Sequence, residues 1–399
     1  MKKKVILAFS GGLDTLFCAL YLVKQGFSVV TLTVDTGGFN KKQISQLEKS
    51  AKAAGAIKHI FLDGKKELYG QYFSYVIKGN ILRGGVYPLC VGLERLVIAG
   101  KMAKTAETEK AAYLAHGSTG AGSDQIRLGL ALKILCPEAK IIVPIRDTGI
   151  TRDKEIVFLK KNKISFDKVS LKYSVNTGLI GTTFSGADTN DSWKAPSEEA
   201  YPSVVPILRT EDQGKEIEIS FEKGLPVSVN GKKMKGVAMM QFLNKTGAEN
   251  GVGKGLHLGD TIIGIKGRIA FEAPGALILI KAHSELEKLV LTADQLFWKE
   301  VNAKVYGNKL HEGLYFEPLM RDIEAFIDSS QQNVSGKVKV KLLKGNILVL
   351  GCQSPYSLIR PEIAVYAERN KYWNGRDAEG FTKLYGLQSV MANLKPEGK

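Results

Sequence analysis

The chain has 399 residues, of which 44% are hydrophobic and 24% charged, a composition typical of a soluble globular protein. Its formal net charge of +16 suits anionic partners, which include nucleic acid but also small anions such as ATP and dicarboxylates. No basic tract stands out, and Trp193, Trp298 and Trp373 form no series on which bases could stack, so we expect no nucleic-acid partner.

Membrane insertion and secretion are not expected either. No stretch approaches the roughly 18 apolar residues that a membrane span needs, and the apolar run VILAF near the N-terminus is shorter than the roughly 7–15-residue core of a signal peptide. The four cysteines, Cys18, Cys90, Cys136 and Cys352, form no CxxC pair. This argues against a zinc site or a disulfide framework and for a reducing compartment, so we predict a cytoplasmic protein.

The first part of the chain predicts a parallel sheet. Five apolar runs are typical of buried strands: residues 4–9, 27–34, 57–62, 111–115 and 140–145. Helical spacing of apolar residues predicts helices over 13–24 and near 65–78, with further helical segments between the later strands. Strands that alternate with helices form a doubly wound α/β domain, in which ligands bind beyond the carboxyl ends of the strands.

The pattern changes after about residue 170. Residues 215–221 and 227–229 alternate between apolar and polar around a Glu-Lys-Gly turn, and 337–342 and 347–350 do so around Lys-Gly-Asn. These are predicted hairpins, which together with helices indicate an α+β domain. We therefore expect an α/β domain over 1–168, a second domain over 169–360, and an arm over 361–399 that has too few apolar residues for a core of its own.

The turn between the first strand and the first helix predicts a phosphate site. Ser10-Gly11-Gly12 lets the backbone approach a ligand, and the N–H groups of the following helix favour an anion. Thr15 adds a hydroxyl, whereas Asp14 would repel a bare phosphate and instead fits a phosphate bound with magnesium. Neither GxxxxGK[ST] nor GxGxxG occurs here, and a turn that simply needs glycine is the alternative.

A second glycine-rich turn, HGSTGAGSD at 116–124, follows a predicted strand. Ser123 is interpreted as the N-cap of a helix that continues to Leu135. Asp124 and Arg127 are three residues apart and share a helix face. A carboxylate beside a guanidinium suits a zwitterionic amino acid, with Asp124 for the ammonium and Arg127 for the carboxylate, although a surface ion pair is the alternative.

SGGLDT at 10–15 resembles the pyrophosphate loop of the ATP pyrophosphatase superfamily, whose members split ATP into AMP and pyrophosphate. Further motifs stand in the order found in argininosuccinate synthases: GN at 79–80, VYPL at 86–89, ER at 94–95, HGSTGAGSDQIRL at 116–128, KYS at 172–174, GIKGR at 264–268, SPYSL at 354–358 and DAEGF at 377–381. The chain is thus similar to the argininosuccinate synthase family over essentially its full length, and GDTIIGIKGR at 259–268 resembles a divergent bacterial branch.

The resemblance implies a nucleotide-binding domain of the adenine nucleotide alpha hydrolase type, a synthetase domain, and a C-terminal arm used in tetramer assembly. It also implies that citrulline and aspartate are joined through a citrullyl-adenylate at the expense of ATP. ATP would enter with Mg²⁺ as part of the substrate, so no fixed metal site is expected in the protein. His116 lacks a second ligand at metal-binding spacing.

The resemblance also assigns site residues. The positions that match the ATP site are Ala8, Phe9, Ser10, Gly11, Gly12, Leu13, Asp14, Thr15, Leu16, Val34 and Gly117. Those that match the aspartate site are Thr119, Ser123 and Asp124, and those that match the citrulline site are Tyr87, Ser123, Arg127, Ser174 and Thr183. Catalysis is expected to depend on Ser10, Asp14, Asp124 and Arg127. A core aromatic with a satisfied hydroxyl is the alternative for Tyr87.

Several positions depart from the commonest family pattern. Where the family commonly has serine, this chain has Gly92, Leu16 and Thr183. Gly259 stands in place of a glutamate, Ala121 of a lysine, Ser123 of an asparagine, Phe271 of a tyrosine and Ser185 of an acidic residue. The ATP and aspartate halves are retained, whereas the citrulline half is thinned. Three alternatives therefore stay open: a ligase for another ureido compound, a tRNA-modifying adenylating enzyme, and a non-catalytic paralogue that binds ATP.

Overall fold

The computed structural model of the chain describes residues 3–166, 173–368 and 370–395. It divides into two compact units, Met1–Ser354 and Pro355–Lys399. The predicted boundary between residues 168 and 169, and Lys172 of the KYS motif, lie outside the described residues. No helix in the described part of the chain is both long enough and apolar enough to cross a bilayer.

The first unit begins with a parallel sheet, as predicted. Its strands are β1 (Lys4–Ala8), β2 (Ser28–Asp35), β3 (Lys58–Asp63), β4 (Tyr113–Ala115) and β5 (Lys140–Ile142), in the order β3-β2-β1-β4-β5. All four pairings are parallel. The chain runs outward from β1 in one direction and from β4 in the other, so the carboxyl ends of these two neighbours form the switch point at which such folds bind ligands.

Helices cover both faces of this sheet. They are α1 (Leu13–Lys24), α2 (Lys41–Ala53), α3 (Lys65–Glu67), α4 (Ser74–Lys78), α5 (Cys90–Glu109), α6 (Asp124–Leu135), α7 (Pro144–Thr148) and α8 (Arg152–Lys161). A π-helical stretch, Leu68–Phe73, joins α3 to α4, so the predicted helix over 65–78 is confirmed. Val5 and Leu7 pack into the core around α1, whereas Ile6 packs into the core around α5, which is why β1 is apolar from Val5 onward.

One predicted strand is too long. The run over 140–145 was expected to be extended throughout, but β5 ends at Ile142 and α7 begins at Pro144. Proline is tolerated in the first turn of a helix, because its missing N–H would have no helical partner there and its fixed φ already suits a helix. The apolar run therefore continues across a change of structure.

The rest of the first unit contains two antiparallel sheets. One is ordered β10-β9-β8-β13-β14 and consists of β8 (Lys215–Glu222), β9 (Leu225–Val229), β10 (Lys232–Lys233), β13 (Gly336–Leu343) and β14 (Asn346–Gln353). The other is ordered β11-β12-β7-β6 and consists of β6 (Ser174–Thr177), β7 (Thr182–Ser185), β11 (Lys254–Asp260) and β12 (Lys266–Glu272). Both predicted hairpins are confirmed, and the second sheet supplies one wall of the candidate site.

Four long helices accompany these sheets: α9 (Gly236–Glu249), α10 (Pro274–Val290), α11 (Ala293–Glu312) and α12 (Leu319–Ser330). Short 3-10 helices occur at Ala187–Asn190, Glu198–Ala200 and Ile207–Arg209. The second unit contains α13 (Gly375–Tyr385) and α14 (Leu387–Asn393), neither of which has a buried residue. The tail therefore forms no core of its own, as its composition indicated.

A buried ion pair lies between α10 and α11. Lys299 Nζ donates to Glu287 Oε2 at 2.5 Å, and the two side chains are 3% and 1% exposed. Asn80 and Gln331 donate to the same carboxylate at 2.5 and 2.7 Å. Such a pair is costly to break, because removal of one partner leaves the other charge buried and uncompensated.

Lys299→Met should therefore lower the free energy of unfolding by about 3–5 kcal/mol, measured by urea denaturation. The matched control is Lys52→Met, since Lys52 forms an exposed ion pair with Glu48 at 2.8 Å and should cost about 0–1 kcal/mol. Equal losses in the two variants would contradict the role given to burial.

Candidate active site

The two glycine-rich turns identified in the sequence meet at the switch point of the parallel sheet. Ser10 follows β1, and His116 follows its neighbour β4. A Cβ on Gly117 would lie 3.4 Å from Cys18 Sγ and 3.5 Å from the Asp14 carbonyl oxygen. The second turn therefore lies directly against the first turn of α1.

The loop at Ser10 has the features expected of an anion site. Gly11 has φ +76°, and a Cβ there would lie 2.7 Å from Leu47 Cδ2, so only glycine fits. No side chain caps the N-terminus of α1, which leaves its first N–H groups open to a ligand. The Thr15 hydroxyl donates to the Gly12 carbonyl at 3.2 Å and lies 3.3 Å from the Ser10 hydroxyl, so two hydroxyls border the same opening.

The other residues expected to bind ATP are mostly buried. Phe9, Leu13 and Val34 are 3%, 5% and 6% exposed, and Ala8 is the last residue of β1. Leu16, where the family commonly has serine, is 1% exposed, and its N–H already donates to the Gly12 carbonyl at 3.0 Å. The side chain of Leu16 therefore belongs to the core that anchors α1 and is not part of the loop surface.

Asp14 is close to a second carboxyl group that the sequence pattern did not single out. Glu155 of α8 is 3% exposed and shares a hydrogen bond with Asp14. Burial and the charge of Asp14 raise the pKa of Glu155 to about 8. Burial also raises the pKa of Asp14, against the opposing charge of Arg152. At neutral pH Glu155 is therefore the protonated partner and donates to the Asp14 carboxylate.

His116 is the first residue of the second turn and is 1% exposed. Neither of its ring nitrogens has a hydrogen-bond partner among the described residues. Burial lowers the pKa of its imidazole to about 4, so the ring is neutral at neutral pH. Buried polar atoms are nearly always paired, and this residue therefore has unused hydrogen-bonding capacity at the carboxyl end of β4.

Asp124 is held between two arginines. Arg95 Nε donates to its Oδ2 at 2.9 Å, and the Arg127 guanidinium donates to its Oδ1 at 2.8 Å. Burial alone would raise the pKa of Asp124, but the positive charges of Arg95 and Arg127 outweigh it and keep the pKa at about 2. The ion pair considered as an alternative is thus present, but it forms a partly buried three-residue cluster and not a surface pair.

The same arginines connect this cluster to distant elements. Arg95 also donates to Asn176 Oδ1 of β6 at 2.8 Å. Arg127, only 7% exposed, donates from Nε to the His311 carbonyl at the end of α11 at 2.7 Å. Arg95 stands in the ER motif and Asn176 two residues after Ser174, but nothing local in the sequence indicates that they meet.

Ser123 is the residue before α6, which ends at Leu135 as predicted, but the side-chain cap expected of it is absent. An N-cap needs extended backbone and a side chain that accepts from the first turn, whereas Ser123 has helical dihedrals (φ −67°, ψ −24°) and makes no cap bond. Its hydroxyl instead accepts from the Ile262 N–H at 3.2 Å. Ser123 therefore ties α6 to the turn between β11 and β12.

The β11-β12-β7-β6 sheet presents one face to this cluster, and we call that face the acceptor wall. Directly paired strand residues point to the same side, and the pairs Asn176–Thr183, Thr183–Phe271 and His257–Ile269 fix the register. The wall therefore carries alternate residues of each strand: Ser174, Asn176, Thr183, Ser185, Gly255, His257, Gly259, Gly267, Ile269 and Phe271. The expected citrulline residues Ser174 and Thr183, and three of the departures from the family pattern, all lie on it.

Tyr87 packs against the acceptor wall. Its ring lies 5.5 Å from that of His257 and 5.3 Å from that of Phe271, measured between centroids. It is 5% exposed, and its hydroxyl accepts from the Val91 N–H at 3.2 Å. These contacts match the alternative of a core aromatic whose hydroxyl is satisfied.

Two glycines explain further features of the cleft. A Cβ on Gly92 would lie 3.9 Å from Arg127 Nε, so there is room for a side chain beside the guanidinium. A Cβ on Gly178 would lie 1.6 Å from Glu94 Oε1, which requires glycine. Glu94, not assigned from the sequence, is 4% exposed, and burial raises its pKa to about 7.

A phosphate loop at the switch point of a parallel sheet, together with a carboxylate held between two arginines and a neighbouring sheet face, defines a nucleotide-dependent enzyme that holds a second, polar substrate. The family model described as the argininosuccinate synthase N-terminal HUP domain matches residues 4–165, and the one for the argininosuccinate synthase C-terminal domain matches 173–392. The chain belongs to the argininosuccinate synthase family.

Individual relatives agree. The argininosuccinate synthase of Methanocaldococcus jannaschii is 39% identical over 402 residues, which cover 100% of this chain and 100% of the relative. That of Pyrococcus furiosus is 39% identical over 391 residues, which cover 98% of this chain and 94% of the relative. That of Staphylococcus epidermidis is 37% identical over 395 residues, 99% of this chain and 98% of the relative. A solved structure of a predicted tRNA methyltransferase subunit from M. jannaschii has 17% identity, covers 40% of this chain and 76% of that chain, and has a TM-score of 0.29, too low to carry an argument.

The Asp14–Glu155 pair should make the thermal stability of the protein depend on pH. Glu155 has its pKa raised from 4.5 to about 8 in the folded state, so its contribution to stability is complete below about pH 4.5 and declines as pH rises toward 8. Glu155→Gln cannot ionise and should lack this decline. Thermal unfolding at pH 5 and pH 8 should therefore show a smaller drop in Tm for the variant than for the wild type. Parallel drops would contradict the assigned protonation.

Proposed function

We propose that this enzyme joins citrulline and aspartate at the expense of ATP and forms argininosuccinate, AMP and pyrophosphate. The observation that supports this best is the position of the Ser10–Thr15 loop and the Asp124 cluster at one switch point. The chain also matches both domains of the family. Cytoplasmic placement stays a prediction.

In the first step the ureido oxygen of citrulline attacks the α-phosphorus of ATP, and pyrophosphate leaves. Negative charge grows on the departing group, where the open N–H groups of α1 and the hydroxyls of Ser10 and Thr15 are already oriented. Mg²⁺ enters with ATP as part of the substrate and shares this charge. The protein contributes no nucleophile of its own, so catalysis depends on alignment and on electrostatic stabilisation.

In the second step the amine of aspartate attacks the carbon of the citrullyl-adenylate. The amine attacks in its neutral form, a C–N bond forms, the C–O bond to AMP breaks, and the proton lost by the nitrogen passes to the departing AMP phosphate or to water. Asp124, whose pKa is about 2, stays ionised at neutral pH and so serves as a fixed anion for an ammonium group, not as a proton acceptor. Thr119 is exposed at the same turn and is available to the aspartate carboxylate.

A pyrophosphate-release assay tests which compound is the acceptor. Citrulline should support release in the presence of ATP, and AMP and argininosuccinate should form when aspartate is added. Release with another ureido acid but not with citrulline would indicate a different ligase. Release that depends on tRNA would favour the alternative of a tRNA-modifying adenylating enzyme. The net charge of +16 would suit such an anionic substrate. No release with any of these would favour the non-catalytic paralogue.

Asp14→Asn should abolish pyrophosphate release, and Ser10→Ala should lower it by about 10²–10³-fold, the usual cost of one lost donor in such a site. The matched control is Asp153→Asn. Asp153 is also an acidic residue in the first turn of a helix, but it is exposed, so that variant should keep wild-type activity. Wild-type release by Asp14→Asn would show that Asp14 has another role.

We also propose a homotetramer in which the tail from residue 361 binds a neighbouring chain. Large apolar side chains of the tail are exposed, among them Tyr366 (97%), Tyr372 (74%), Phe381 (62%) and Tyr385 (81%), and aromatic residues are enriched at interfaces. Light scattering should give a mass near four times 43.5 kDa, and truncation after residue 360 should lower it. A full-length monomer with full activity would refute this assembly.

A further inference from the structure

We propose that His257 is a binding residue for the amino-acid end of the ureido acceptor, with its imidazole hydrogen-bonding the acceptor's carboxylate. The inference rests on the proposed function and deepens it. It adds a specificity-determining residue to the acceptor wall that the sequence pattern did not identify.

The packing around His257 fixes the position of the ring. A Cβ on Gly259 would lie 2.6 Å from His257 Nε2, and a Cβ on Gly84 would lie 3.1 Å from both Nδ1 and Cε1 of the same ring. The other side is occupied by Tyr87, stacked at 5.5 Å with an interplanar angle of 17°. The imidazole therefore occupies space that two glycines leave empty, and a larger residue at 259 would displace it.

The ring has unused hydrogen-bonding capacity. His257 is 8% exposed, and within the described ranges neither ring nitrogen makes a hydrogen bond. Burial, and then the charge of Arg83, lower its pKa, so at neutral pH the ring is uncharged, with one donor and one acceptor. The ring nitrogens of His257 are not among the enclosed polar atoms that lack a partner in the described ranges, so they face space that a ligand can reach, and a ligand held by the wall can hydrogen-bond them.

The surroundings of the ring select the kind of ligand. His257 shares the acceptor wall with Thr183 and Asn176. Asn176 accepts a hydrogen bond from Arg95, which also binds Asp124. The nearest charged neighbour that acts on the ring is the Arg83 guanidinium. A neutral donor in a positive environment suits a carboxylate better than an ammonium group.

The test is the KM for citrulline of His257→Phe. Phenylalanine keeps a flat ring to stack on Tyr87 but cannot hydrogen-bond, so KM for citrulline should rise about ten- to a hundredfold, the range for one lost hydrogen bond to a charged group. KM for ATP, KM for aspartate and Tm should stay near their wild-type values. A smaller rise, or a joint rise of all three KM values with a loss of Tm, would overturn the inference and make His257 a packing residue.

A second variant tests the geometry without changing His257. Gly259→Ala places a methyl group 2.6 Å from Nε2 and should raise KM for citrulline in the same way. The matched control is Gly351→Ala in β14, a strand glycine of the other antiparallel sheet, where a Cβ would meet nothing within 4 Å. Equal KM values in the two glycine variants would contradict the proposal.

The proposed function and the role of His257 can be disproved separately. If the wild-type enzyme releases no pyrophosphate with citrulline, the proposed function fails and the role of His257 with it. If the wild type is active and the His257 and Gly259 variants keep its KM for citrulline, the role of His257 alone is wrong.

Discussion

The acceptor side of the cleft depends on one carboxylate. Asp124 is bonded by Arg95 from α5 and by Arg127 from α6, and these arginines in turn hold β6 and the end of α11. Elements of the parallel sheet and of the antiparallel sheet are thus joined through a single anion. Removal of that anion would leave two largely buried cations facing each other, which costs more than the loss of a substrate contact.

The phosphate side is built on a different principle. Its open N–H groups are carried by a helix whose buried face includes Leu13, Leu16 and Phe17, so the loop is anchored by apolar packing and not by charge. Groups that are held in place before the substrate arrives need no reorganisation when charge develops, which is the usual source of electrostatic catalysis. The thinned polar character of the acceptor wall therefore does not extend to this half.

Sequence patterns predicted those features that depend on neighbours along the chain. The parallel sheet follows from strands such as β1, which is apolar from Val5 to Ala8. The two hairpins follow from strict alternation around glycine turns, and the anion loop follows from SGGLDT after a strand. The strand predicted over 140–145 was cut short by Pro144, although a proline inside a strand is itself a warning.

Features that depend on distant partners could not be predicted in this way. Ser123 satisfies the pattern of an N-cap, but its hydroxyl bonds a backbone N–H 139 positions away. Asp124 is held by Arg95 from 29 positions before it, and Arg95 meets Asn176 from 81 positions after it. Propensity and spacing contain no information about such pairings, and neither do the empty spaces at Gly84 and Gly259, which have meaning only once the sheet is assembled.

The pleat of the acceptor wall determines which of its residues can be substituted without loss of the fold. Side chains on the wall alternate with residues of the opposite face, and the ladder that holds β11, β12 and β7 together uses backbone groups only. Wall residues with open space beside them can therefore be exchanged with little effect on the strand pairing or on the loop after β1, whereas Gly255 cannot, since a Cβ there would lie 2.2 Å from the Phe271 ring. Substrate preference and ATP chemistry are consequently free to drift at separate rates, since distant sites without shared partners contribute nearly independently.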